Sequence, residues 1–102
     1  MPVLLAYTQY EKKTMMNLFR TIDVRKRVDQ TTAIRYRCFE SFQSKRYCVQ
    51  SADFYRLPLD AKQVSNLDSQ FVQLFLEQAP SNRAAEYLTL EEAIAAHDKD
   101  FL

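Results

Sequence analysis

Glycine is absent from all 102 residues, where average usage of about 7% would supply roughly seven. Glycine is what lets a backbone reach positive φ and come close to a phosphate. Its absence removes the Walker loop, the GxGxxG dinucleotide turn, the GxSxG nucleophile elbow and the EF-hand loop. P-loop NTPases, Rossmann dehydrogenases, protein kinases and α/β-hydrolases are excluded on that ground.

Other chemistry-bearing residues are also scarce. His97 is the sole histidine, and Cys38 and Cys48 are the only cysteines. No CxxC or HxxxH spacing places metal ligands in advance. A site built from Cys38, Cys48, His97 and a carboxylate would depend wholly on the fold. A Cys–His nucleophilic pair would also need an oxyanion hole and a lowered thiol pKa, and the sequence signals neither. Mid-strand cysteines are ordinarily small core residues, and two are too few for a secreted disulfide scaffold. The carboxylates Glu91 and Glu92 lie in the first turn of a helix, where the dipole favours them. The reading is a non-enzyme with no cofactor and no metal.

Long apolar runs are missing too. Nothing approaches the ~20 residues needed to cross a bilayer. The opening Met1-Pro2-Val3-Leu4-Leu5-Ala6-Tyr7 has no basic flank and is too short for a signal sequence. The expectation is a soluble, cytoplasmic protein with no membrane partner.

What is present suits one core. Apolar residues make up 47% and charged residues 26%, ordinary values for a globular domain, and the length suits a single domain over 1–102. Charge is uneven along the chain. Residues 1–56 hold eleven Lys/Arg against five Asp/Glu, and residues 57–102 hold three against eight. The change falls at Leu57-Pro58-Leu59, where proline also interrupts regular structure.

Periodicity then divides the chain. Tyr7, Met15, Leu18 and Ile22 stand at helical spacing and predict a helix from Thr8 to Phe19. Residues 20–28 alternate apolar and polar, which fits a third strand as well as a continuation of that helix. If Met15 or Met16 is the translation start, residues 1–14 are a flexible or dispensable arm. Residues 32–42 and 46–56 are rich in β-branched and aromatic residues and predict a hairpin. Its loop, Phe42-Gln43-Ser44-Lys45, contains no Gly or Asn, which favours a four-residue connection over a two-residue turn. That loop pairs Ser41 with Arg46, Phe39 with Cys48 and Arg37 with Gln50. Ser65 or Asn66 caps a helix running to about Gln78, ahead of Pro80. A short helical turn at Arg83–Tyr87 fits the connection that follows. Thr89 and Glu92 form a capping box for a last helix, with Leu90, Ala93, Ile94, His97 and Phe101 on one face. The predicted fold is α+β: an antiparallel sheet with helices packed mainly on one face.

Three functional readings follow. The apolar residues of the helix ending at Gln78 span an arc of about 200°, where about 100° suffices for a surface helix. Val72, Leu76 and Ala79 are left over as an interface, and the leading reading is a protein-interaction module that binds itself as a homodimer, or another protein. The second reading is nucleic-acid binding, with Phe39 stacking on bases and Arg35, Arg37 and Arg46 holding phosphates. Its bland counterpart is that these arginines pair with acids from the other half. The third is a small-molecule pocket lined by Tyr36, Tyr47, Phe54 and Phe71. His97 has the plain reading of a helix-edge residue with its polar tip in water or bonded to Asp98.

Overall fold

The computed structural model describes residues 17–101. Three strands, β1 (Phe19–Arg27), β2 (Thr32–Ser41) and β3 (Tyr47–Arg56), form one antiparallel sheet in the order β1-β2-β3. Three helices follow: α1 (Ala61–Glu77), the four-residue α2 (Pro80–Arg83) and α3 (Leu90–Phe101). The fold is α+β. The predicted helix over Thr8–Phe19 lies outside the described residues up to position 16, as does the proposed arm over 1–14. Phe19 itself opens β1, so alternation prevails over helical spacing from there on.

Turn chemistry is local and reads directly from side chains. The Asp29 carboxylate accepts from the Thr31 amide at 2.9 Å and closes the β1–β2 connection as an Asx turn. Residues 42–46 connect β2 to β3, one more than expected, and the expected pairing of Ser41 with Arg46 is kept by the bond from the Ser41 amide to the Arg46 carbonyl at 3.0 Å. A chain without glycine must still turn there, and Lys45 takes the left-handed conformation at φ 60°.

Helix starts differ from expectation. Asp60, not Ser65 or Asn66, caps α1, accepting from the amides of Lys62 and Gln63. The helix begins as soon as Pro58 is cleared, because Ala61, Lys62 and Gln63 all favour it. The turn expected at Arg83–Tyr87 comes earlier, on Pro80, whose fixed φ suits a first helical position. Thr89 caps α3 through the Glu92 amide at 3.1 Å.

The helices do not gather on one face. Ile34, Tyr36 and Cys38 of β2 form a core with Val49 and Ala93, which α3 covers through Leu90 and Ile94. Phe39 and Arg37 leave β2 on the opposite side, where Phe71 and Phe75 of α1 stack on Phe39. β2 is central and carries apolar side chains on both faces, so each face needs its own cover. The Tyr36 hydroxyl donates to Asp98 at 2.8 Å and fastens α3 to the sheet. Burial, together with that carboxylate, pushes the Tyr36 phenol up to about 12.

One irregularity sets the layout of β3. Phe39 pairs with Cys48 as the loop length predicts, but Arg37 pairs with Ser51 and not with Gln50. Gln50 is the extra residue of a β-bulge. A one-residue slip exchanges the faces of all that follows. Asp53 and Tyr55 therefore join the arginine face, while Ala52 and Phe54 turn to the α3 face.

Candidate functional site

The arginine face carries an ion cluster between sheet and helix, buried at Arg37 and Asp53 and open to water at Arg25, Asp23 and Asp68. Asp23 and Arg35 come from neighbouring strands, and Arg37 and Asp53 likewise. Asp68 reaches down from α1. Arg37 Nε meets Asp53 at 2.6 Å and its Nη2 meets Asp68 at 2.6 Å. Arg35 meets Asp23 at 3.0 Å and Asp68 at 3.2 Å, and Arg25 meets Asp23 at 3.0 Å. Three arginines thus face three aspartates, and the cluster carries no net charge. The Arg37 guanidinium also lies 4.9 Å over the Phe71 ring.

This arrangement places the nucleic-acid candidates plainly. Phe39 is 1% exposed, held between Phe71, Phe75 and the edge-on ring of Phe19. Arg37 is buried and Arg35 is spent on two carboxylates. Arg46 stands exposed beside the β2–β3 loop, apart from the cluster. The four do not form an open stacking platform. Arg35 and Arg37 pair with acids and, among the described residues, Arg46 does not, and two of the three partner aspartates come from the sheet itself. Only Asp68 comes from the acidic half.

The same cluster governs acid behaviour. The hydrogen bond from Arg37 holds the Asp68 carboxyl below its ordinary 3.8. Partial burial pushes Asp23 up, but hydrogen bonds from Arg25 and Arg35 outweigh it and leave that carboxyl lowered as well. Both groups bind their protons more weakly folded than unfolded. Their stabilisation is therefore complete above the unfolded value of 3.8 and is lost as pH falls through the lower folded values. Urea midpoints measured across acidic pH should fall in that window, and Asp68→Asn should make the fall shallower.

The pocket candidates are divided between faces. Tyr36 and Tyr47 pack in the α3-side core, Phe54 shares that face, and Phe71 lies beyond the sheet against Phe39. They do not line one cavity. A groove of about 540 Å³ does run between β3 and α3, lined by Phe54, Gln50, Ala52, Tyr87, Ala96 and His97 among others. Sequence reasoning missed it, because without the bulge Ala52 and Phe54 would point the other way. His97 does not bond Asp98, which serves Tyr36. Its ring lies edge-on to Tyr36 and tilted on Phe101 at 4.8 Å.

The cysteines are buried and free. They leave the sheet on opposite faces, Cys38 in the α3-side core and Cys48 beside Phe39, which does not suit a bridge or a shared ion. Burial pushes Cys38 up to about 12 and Cys48 to about 11, so both are thiols at neutral pH. Among the described residues no three His, Cys, Asp or Glu side chains gather to hold a metal ion, and no helix is long and apolar enough to cross a membrane.

Of the interface candidates, Val72 is 55% exposed and Leu76 is 78% exposed. Ala79 lies past the end of α1 and is half-buried. At 100° per residue, Val72 and Leu76 share their flank of α1 with Ala61, Ser65 and Ser69, and none of the five is charged. No protein-family model, no curated protein and no solved structure matches this chain.

Proposed function

We propose that the chain is a small, non-catalytic protein-interaction module whose first partner is a second copy of itself, docked through the outer flank of α1. The observation that carries this reading is the exposure of Val72 and Leu76 on a helix held to the sheet by the adjoining stripe of Phe71 and Phe75. A two-fold axis sets the same patch against itself, and an uncharged flank meets its copy without like-charge repulsion. Charge elsewhere favours the same occupant. The ion cluster draws only Asp68 from the acidic half. Exposed Arg27 and Arg56 at one end of the sheet, and exposed Glu91, Glu92 and Asp100 on α3, remain for pairing between copies. Steering of this kind assists association even where each surface pair adds little.

Sedimentation or size exclusion with light scattering tests the reading. The wild type should run as a dimer at ~100 μM. Val72→Lys with Leu76→Glu should give a folded monomer, because charges replace the apolar contact on both sides of the axis at once. A monomeric wild type, or a double variant that dimerises unchanged, rejects the proposal.

A further inference from the structure

The groove between β3 and α3 has three properties that converge on one kind of ligand. The first is an open sheet edge. β3 is an outer strand, and among the described residues its free side is paired only at Tyr47, which exchanges backbone hydrogen bonds with Tyr87 at 2.8 and 2.7 Å. The chain itself begins a fourth, antiparallel strand there and abandons it after one residue. The other outer strand is guarded by charge, with Arg20, Asp23, Arg25, Lys26 and Arg27 among its nine residues. β3 has only Asp53, which is committed to Arg37, and Arg56. Unguarded edges accept further strands.

The second property is unmet hydrogen bonding. The bulge aims Gln50 into the groove, and its Oε1 is buried with no donor among the described residues. Nδ1 of His97, on the opposite wall, is buried and equally unpartnered. Buried polar atoms are nearly always bonded, and two orphans lining one groove mark where a polar partner belongs. The third property is room for a large side chain. Ala52, Ala84, Ala85, Ala93 and Ala96 leave a volume of about 540 Å³, within the range of ligand sites. Phe54 and Phe101 stand at its rim, 48% and 73% exposed.

We infer that this groove binds an extended peptide segment of another protein. The segment adds to the free edge of β3 beyond the Tyr47–Tyr87 bridge, supplies an N–H to Gln50, and lodges a bulky apolar side chain between Phe54 and Phe101. Strand addition draws affinity from main-chain hydrogen bonds and specificity from alternate side chains. The groove is on the α3 side of the sheet, away from the α1 flank, so the inference does not rest on self-association.

The test starts from a displayed random dodecapeptide library selected on the full chain, with enriched peptides synthesised and measured by fluorescence anisotropy. Methylating alternate backbone nitrogens of a selected peptide should weaken binding by about tenfold or more, since that removes strand donors and keeps apolar character. Ala96→Trp, which fills the groove, should weaken it comparably. Gln50→Ala should cost severalfold while the circular dichroism spectrum is unchanged, and it decides the matter if Ala96→Trp does not fold. Amide shifts should centre on residues 51–54. Val72→Lys with Leu76→Glu should leave peptide affinity intact. Failure to enrich any peptide, equal binding of the methylated form, or binding lost only in the α1-flank variant overturns the inference.

Discussion

Phe39→Ala is expected to lower stability by about 3–5 kcal/mol, the range for emptying a buried aromatic site. The ring is 1% exposed. It stacks on Phe71 at 5.4 Å and Phe75 at 5.2 Å, and takes the edge of Phe19 at 6.0 Å. None of the seventeen residues of α1 is itself fully buried, so this helix has no other apolar anchor of comparable depth. The space left by the ring cannot be refilled without moving α1. A domain of this size commonly has only about 5–15 kcal/mol in total, so the variant should sit near its unfolding threshold. Urea titration gives the loss, and hydrogen exchange locates it: α1 amides should exchange fastest, while the Tyr36-centred core and α3 keep more protection. A loss below about 1 kcal/mol would mean that the aromatic stack does not hold the helix.

Arg37→Met should be the second most costly change, at about 3 kcal/mol. Removing one partner of a buried pair strands the other, and this outweighs the net worth of the pair itself. Arg37 is 5% exposed and serves Asp53 and Asp68. The two carboxylates should respond differently. Asp68 is half-exposed, so water takes over its solvation once the guanidinium is gone. Asp53 is 12% exposed and has no such recourse. Adding Asp53→Asn to Arg37→Met should therefore recover much of the loss, and adding Asp68→Asn should recover little. A double-mutant cycle by urea titration checks this. Equal recovery from both would show that the charge is not stranded at Asp53.

What the sequence determined by itself is what short range decides. Alternating β-branched and aromatic residues placed the hairpin within a residue or two at each end, because strand period and turn length are local. Thr89 with Glu92 marked the start of α3, because a cap needs only its own first turn. The excess apolar arc of α1 predicted an exposed side at Val72, Leu76 and Ala79; Val72 and Leu76 are exposed, whereas Ala79 falls beyond the helix end and is half-buried. Even the misplaced cap had a local signal: Asp60 directly follows Leu57-Pro58-Leu59 and precedes three good helix formers.

The tertiary structure alone decided the rest. No local pattern announces the bulge at Gln50, because its advantage lies far away along the chain. It puts Asp53 opposite Arg35 and beside Arg37, and it turns Ala52 and Phe54 toward α3. The arginines and Phe39 looked like an open surface because the strand pattern shows which residues share a face and not what lies over it. Phe71, Phe75 and Asp68 cover that face from thirty residues downstream. The groove likewise exists only where β3, the chain around Arg83–Tyr87 and α3 meet. Local sequence specified the elements and their faces, whereas register past the bulge and the cover on each face depended on contacts between distant residues.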